Sequence, residues 1–326
     1  MILRSNLVRA VALVALALLL AYAMPAPAQA QAQAPAHAAV LRAAVVAPGV
    51  WALVGPLGGP SLDNQALNAS YGVVATPAGT ILIDSGASAQ GAQLLAGMAR
   101  QLTGQPVRWV INTGSQHHRW LGNDHLRAAG AQVIAHTRTV QTQRAMAPDQ
   151  TTELQALLGE RFAGTRPGHA DRVVDGARTE LSLGGVRIEL LYLGDAHFPG
   201  DTVVWLPAGK IAFAGDLVYV ERLLSLAQQS NGPSWLAAFE RLVALAPAQV
   251  VPGHGGPTDM VTAQAQTGAY LRFVVEGVKR HAKEMAGVEA AVADLGAAPP
   301  FAKLANFVPL HRANVNRAYL RAEVGD

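Results

Sequence analysis

Short apolar and β-branched runs alternate with helical stretches along most of this chain, and no other feature constrains its fold as strongly. The runs GVWALVG, SYGVVAT and GTILIDSG are separated by Gly, Pro and Asn, as strands joined by tight turns are. The stretch GAQLLAGMARQL follows them with apolar residues at helical spacing. A second group of strand-like runs, TELSLGG, VRIELLYLG, DTVVWL and KIAFAGD, precedes the helical stretch SWLAAFERLVALA. Two strand-rich halves, each with helices, predict an α/β protein whose helices cover the outer faces of packed sheets.

The first 30 residues are typical of a secretory signal peptide. Arg4 and Arg9 make a basic start, a short apolar stretch follows, and Ala28 to Ala30 form a small-x-small cleavage site. The apolar stretch is shorter than the roughly 20 residues that a membrane span needs. We therefore expect a periplasmic or secreted protein with no stable membrane span after signal removal. We expect residues 31–48, rich in Ala, Gln and Pro, to form a flexible leader.

The net charge indicates which partners to expect, and the cysteine content indicates what can stabilise the fold. Loss of Arg4 and Arg9 with the signal lowers the formal net charge from +3 to +1. No basic cluster with interleaved aromatic residues is present, so we expect a small-molecule substrate and no nucleic acid. The chain has no cysteine, hence no disulfide, and stability must come from the core or from the core and a metal ion.

Polar residues with metal-binding side chains follow several of the predicted strands. His197 lies in a turn between two strands, Asp216 ends the run AFAGD, and His254 ends the run VVPGH. His117 and His118 stand together in the loop NTGSQHHRWLGN. Imidazole nitrogens and a carboxylate are the donors that zinc prefers, and iron accepts the same set.

These runs, in this order, resemble the metallo-β-lactamase-fold hydrolase superfamily. The residues that carry the resemblance are GTILIDSG, VINTGSQHHRWLGN, GDAHFPGD, AFAGD and VVPGHG. The resemblance covers residues 49–275 and leaves 276–326 as a helical C-terminal extension packed on that domain. It implies a four-layer αββα sandwich with the active site along one edge. It also implies that His197, Asp216 and His254 match the superfamily's later metal ligands.

The loop after Asn112 and Thr113 departs from the superfamily pattern. Members usually carry a His-x-His-x-Asp-His run there, and alignment on the flanking residues puts Gly114, Gln116, His118 and Arg119 at its four ligand positions. Glycine offers no ligand atom, an amide is a poor zinc donor, and a guanidinium stays protonated.

A shift of one residue gives a second alignment, in which His117 and His118 take the Asp-His positions. One metal site would then consist of His117, His118 and His254 with Asp216 nearby, and the other would retain only His197. This second alignment favours one ion over two, and both alignments place His118 at a ligand position. If the loop is extended, adjacent side chains point in opposite directions and only one of the two histidines binds.

The resulting expectation is a mononuclear zinc hydrolase that acts on a small, anionic carbonyl substrate such as a lactone, thioester or lactam. Asp216 would bind the ion or act as the base that orients the water, and Arg119 would bind the substrate's anionic group. The alternative for that arginine is a surface position, or pairing with Asp124 or Asp216. Two other functions remain open: a periplasmic binding module that has lost its catalytic site, and an iron-dependent enzyme that oxidises a sulfur compound.

Overall fold

Seven strands form the first of two sheets in the computed structural model, which describes residues 40–325. The predicted signal peptide and residues 31–39 of the predicted leader lie outside this range. The strands of the first sheet are β1 (Arg42–Ala47), β2 (Val50–Val54), β3 (Ser70–Thr76), β4 (Gly79–Ile83), β5 (Val107–Ile111), β6 (Gln132–His136) and β7 (Arg172–Val174). They lie side by side in sequence order, antiparallel from β1 to β4 and parallel from β4 to β7.

Five strands form the second sheet. They are β8 (Arg178–Leu183), β9 (Val186–Leu191), β10 (Val203–Leu206), β11 (Ile211–Tyr219) and β12 (Gln249–His254). The order is β12-β11-β10-β9-β8, with only the β11/β12 pair parallel among these five strands. Both faces of β11 are buried, which fits its continuous apolar run IAFAG.

Helices connect the strands and cover the outer faces of both sheets. They are α1 (Ala89–Thr103), α2 (His117–Trp120), α3 (Asn123–Ala128), α4 (Thr137–Leu158), α5 (Gly232–Ala244), α6 (Met260–Ala263), α7 (Ala269–Lys283), α8 (Val288–Leu295) and α9 (Phe307–Glu323). The N-cap of α1 is Ser88, whose side chain accepts a hydrogen bond from the Gly91 amide, and Gly104 ends the helix in the left-handed conformation. Among residues 40–325 no helix combines the length and the apolar character needed to cross a membrane.

Three apolar clusters fill the spaces between the layers. One, including Ile83 and Phe213, fills the space between the two sheets. A second packs Leu95 of α1 against the outside of the first sheet, and a third packs Trp235 of α5 and helices α7 to α9 against the outside of the second. A Cβ atom at Gly72 would lie 2.4 Å from the ring of Phe213, so glycine is needed where the sheets approach each other. The layer order is the predicted αββα sandwich.

Part of the predicted leader is a strand instead. Residues Arg42–Ala47 form β1 and pair antiparallel with β2, from Arg42 opposite Val54 to Ala47 opposite Val50. The alanine-rich composition suggested flexibility, but RAAVVA has no fully buried side chain and contains two adjacent valines, which suits an edge strand.

Candidate metal centre

Asp84 anchors the loop that carries the adjacent histidines. It follows β4, and its two carboxylate oxygens accept hydrogen bonds from the amide and the hydroxyl of Thr113, both at 2.7 Å. Asp84 adopts a positive φ of 66°, which aspartate tolerates better than most residues. The side chain thus ties the end of β5 to the end of β4, which are parallel neighbours.

Helix α2 decides which of the two histidines faces the site. It consists of one turn, from His117 to Trp120, and begins after Gln116. Successive side chains of a helix point about 100° apart, so His117 and His118 point in different directions. Their ring planes are nearly perpendicular, and the ring centroids are 5.0 Å apart. His118 faces Asp216 and His254, whereas His117 does not join that group.

His118, Asp216 and His254 form the candidate metal centre. His118 Nε2 lies 3.5 Å from Asp216 Oδ2, and His254 Nε2 lies 3.2 Å from Asp216 Oδ1. The three side chains offer one ligand atom each within 4.8 Å of one another. They converge because Asp216 is on β11, His254 ends the parallel strand β12, and α2 follows the end of β5 at the same edge of the sandwich.

The two histidines of the centre are neutral near neutral pH. Burial, followed by the charge of Arg119, lowers the pKa of His118 to about 3. Burial, followed by the charge of Arg222, lowers the pKa of His254 to about 4. Neutral imidazole is the form that binds metal ions.

The hydrogen bonds of the centre leave the Nε2 lone pair of His254 and the one lone pair of the neutral His118 ring free to bind a cation. His254 Nδ1 lies 2.7 Å from the Asn68 carbonyl oxygen, so Nδ1 carries the proton and the Nε2 lone pair points to Asp216 Oδ1. Neither ring nitrogen of His118 has a hydrogen-bond partner among residues 40–325. His254 Nε2 and Asp216 Oδ1 are both acceptors, and at 3.2 Å they repel each other. Two ligand atoms of a tetrahedral ion, each about 2.1 Å from the ion, lie about 3.4 Å apart, so a bound ion would explain this spacing. The donor set therefore fits one metal ion.

Arg119 lies behind the centre and is fully buried. Its Nε and Nη2 donate to the two oxygens of Asp216 at 3.1 and 2.6 Å, and its Nη1 donates to Asp84 Oδ2 at 2.9 Å. The remaining two N–H groups bond to the carbonyl oxygens of Ser70 and Gly253. All five donors are used, which leaves none for the substrate contact expected of Arg119; the pairing with Asp216 is found instead.

Asp216 is a permanent carboxylate. Burial would raise its pKa, but the charge of Arg119 outweighs that effect and holds the pKa well below its usual range. A carboxylate of such low basicity is a poor general base. Of the two roles expected for Asp216, the geometry favours metal ligand over base.

The positions that would form a second metal site carry other interactions. Gly114 has no side chain, and a Cβ atom there would lie 2.7 Å from Asp201 Oδ1. His197, which was expected as a metal ligand, lies with its Nε2 3.1 Å from Oε1 of Gln116. Burial, followed by the charge of Asp216, raises the pKa of Asp201 well above its usual range.

Arg222 is a residue at this edge that the sequence reasoning missed. It is 8% exposed, it packs over the ring of Tyr219, and its Nη1 donates to the Gly58 carbonyl oxygen at 3.2 Å. Its Nε is buried without a hydrogen-bond partner, and no carboxylate of residues 40–325 lies within 4.0 Å of the guanidinium. Burial lowers its pKa from the usual value. The available signal was its position, three residues after β11 and six after Asp216.

Comparison with known proteins identifies the family of this chain. The family model described as "Metallo-beta-lactamase superfamily" matches residues 65–254. The alpha subunit of 2,4-dinitroanisole O-demethylase from Nocardioides sp. (strain JS1661) is 27% identical over 151 residues, which are 46% of this chain and 41% of that protein. A type 2 metallo-beta-lactamase from Bacteroides fragilis is 32% identical over 87 residues, which are 25% of this chain and 35% of that protein. The aligned parts thus span about two fifths or less of these relatives.

Solved structures agree in fold. A metallo-beta-lactamase from Pontibacter korlensis superposes with a TM-score of 0.57 at 23% identity, over 71% of this chain and 99% of that one. The DIM-1 metallo-beta-lactamase exposed to ceftazidime superposes with a TM-score of 0.56 at 20% identity, over 72% and 97% of the two chains. At identities this low, the superpositions establish the fold alone and say nothing about the substrate.

Proposed function

The chain belongs to the metallo-beta-lactamase superfamily, a family of metal-dependent hydrolases, and on this premise we propose that it is a hydrolase with one zinc ion. The proposed substrate is a small carbonyl compound such as a lactone, thioester or lactam. The observation that carries the proposal is the buried group of His118, Asp216 and His254, whose ligand atoms are spaced for a single ion.

The chain's own residues prepare the centre for an ion. Asn68 fixes the tautomer of His254, and Arg119 fixes the carboxylate of Asp216 through two hydrogen bonds. Three protein ligands leave a fourth position open, as in catalytic rather than structural zinc sites. A bound zinc ion would polarise the substrate carbonyl and lower the pKa of water near it. Iron suits the same donors and is the alternative metal.

Arg222 is the proposed anchor for an anionic substrate, in place of Arg119. A buried guanidinium without a carboxylate partner is energetically costly, and a substrate carboxylate would remove that cost. Its Nη1 lies 3.3 Å from the ring of His254, so a group bound there would also lie next to the metal centre. We propose a substrate that carries a carboxylate close to its reactive carbonyl, met in the periplasm or outside the cell.

A binding module without catalysis is the second candidate function. It is favoured by the loss of the ligand side chains at Gly114 and Gln116, and by the burial of His118, Asp216 and His254. A module of this kind would bind the same anionic ligand at Arg222 without turnover.

The test is a hydrolysis assay on zinc-loaded protein with paired lactones, thioesters and lactams, each pair differing only by a carboxylate. We expect turnover of at least one carboxylate-bearing substrate, with KM raised about tenfold or more in Arg222→Met and kcat changed little. Arg312→Met, an exposed arginine on α9, is the matched control and leaves both constants unchanged. Zinc bound without hydrolysis of any pair would support the binding module and overturn the hydrolase.

A further inference from the structure

A cleft of about 280 Å³ lies between helices α5, α7 and α9, on the outer helical layer of the second sheet. Its floor is apolar and consists of Leu226, Val275, Val278, Ala318 and Ala322. His118, Asp216 and His254 do not line it, so the cleft is separate from the candidate metal centre. An inference drawn from it does not depend on the proposed function.

Three cations surround this apolar floor. Lys279 comes from α7, and Arg317 and Arg321 come from α9, one turn apart on the same face. Among residues 40–325, no carboxylate lies within 4.0 Å of any of the three. Three positive charges without acidic partners in the described part of the chain make the mouth of the cleft a favourable place for an anion.

Both arginines are held in place by the wall of the cleft. Arg317 Nη1 donates to the Leu226 carbonyl oxygen at 3.0 Å, and Arg321 Nη1 donates to the Ser230 carbonyl oxygen. Each guanidinium has five N–H groups and uses one in these bonds, so donors remain for a ligand. Guanidinium groups already fixed by the protein lose less conformational freedom when they bind a carboxylate.

We propose that this cleft binds a single-chain aliphatic carboxylate, with the alkyl chain on the apolar floor and the carboxylate among Lys279, Arg317 and Arg321. The combination of surfaces selects this class of ligand. An uncharged alkane leaves the cations unsatisfied, an inorganic anion leaves the floor exposed to water, and a cationic amphiphile is repelled.

The test is isothermal titration of the full chain with sodium hexanoate, octanoate and decanoate below their micelle concentrations. We expect affinity to rise about two- to fourfold per added methylene, since each buried methylene contributes up to about 0.8 kcal/mol. Nonyltrimethylammonium, which has the same nine-carbon alkyl chain and the opposite charge, should bind at least tenfold more weakly than decanoate. Absence of decanoate binding, or equal binding of the cationic probe, would overturn the proposal.

Two variants test whether the ligand binds in this cleft. Lys279→Glu should weaken decanoate binding about fivefold or more, because it replaces an attraction with a repulsion, whereas Lys283→Glu on the same helix lies outside the cleft and should not. Ala322→Trp should abolish binding by filling the cleft, with Arg312→Glu on α9 as its control. Wild-type affinity in Lys279→Glu and in Ala322→Trp would refute this location, as would equal weakening in Lys283→Glu. Zinc content, measured in each variant, checks that the metal centre is intact.

Discussion

Replacing Arg119 with methionine should destabilise the protein more than any single change at its surface. The methionine removes all five buried hydrogen bonds of the guanidinium and leaves the carboxylates of Asp216 and Asp84 without their cation. Breaking a buried ion pair by removing one partner costs about 3–5 kcal/mol, and two buried carbonyl oxygens also lose donors. We therefore expect the free energy of unfolding to fall by at least about 3 kcal/mol at pH 7.5.

The assay is urea unfolding of the metal-free protein, followed by tryptophan fluorescence. Arg272→Met removes an exposed pair with Glu240 and should cost less than about 1 kcal/mol. Arg119→Lys keeps the charge with at most three donors, so its loss should lie between the two. A loss in Arg119→Met no greater than that in Arg272→Met would refute the assignment of Arg119 to the interior.

The pH dependence gives the same prediction a second readout. In the wild type, the pKa of Asp216 is lower in the folded state, so its contribution is present at neutral pH and is lost as pH falls below the usual carboxyl range. Without Arg119, burial dominates and raises that pKa, so ionisation on raising the pH destabilises the folded state. The difference between wild type and Arg119→Met should therefore grow from pH 5 to pH 8. A constant difference would contradict the argument.

Three further predictions concern the same edge of the sandwich. Gly114→Ala should destabilise the protein by about 1–3 kcal/mol, because the new Cβ would lie 2.7 Å from Asp201 Oδ1. In a double-mutant cycle measured by urea unfolding, Asp201→Ala should relieve most of this loss. Burial lowers the pKa values of His117 and His118 to about 3 and those of His197 and His254 to about 4. The metal-free protein should therefore lose stability as pH falls below about 6.5, by up to about 1.4 kcal/mol per pH unit for each histidine. A free energy of unfolding that is unchanged between pH 6.5 and 5 would contradict the burial of these histidines in the neutral form. Trp120→Phe should cost about 1–3 kcal/mol, because the indole N–H donates to the Ser115 carbonyl oxygen and to Gln150 Oε1, both at 3.0 Å, and thermal unfolding measures the loss.

The fold was predictable because its signals are local and ordered. Strand-like runs end in polar residues at fixed places, and carboxyl ends of parallel strands meet at one edge of a sheet. That rule predicts that Asp216 of β11 and His254 of β12 lie near the same edge, although β11 continues three residues past Asp216, to Tyr219 opposite His254. The edge strand β1 was not predicted, because an alanine-rich run carries little β signal until its partner β2 is known.

The roles of individual side chains were harder to predict, since they depend on contacts between distant segments. The sequence favoured His118 over His117 only through the two alignments, and the start of α2 at His117 is what turns His118 toward Asp216 and His254. Arg119 was expected to face a substrate, yet its partners come from segments 35 to 134 residues away. His197 bonds to Gln116, an interaction that spacing along the chain does not reveal. Which of these residues bind a metal ion stays a prediction.

The most direct measurement is the metal content of the wild type and of His118→Ala and His254→Ala, after incubation with zinc and dialysis. His125→Ala serves as the control, because His125 lies on α3 outside the candidate centre. The account predicts about one zinc ion per chain in the wild type and in His125→Ala, and loss of that ion in both other variants. An ion retained by His118→Ala, two ions in the wild type, or none would contradict a single centre formed by His118, Asp216 and His254.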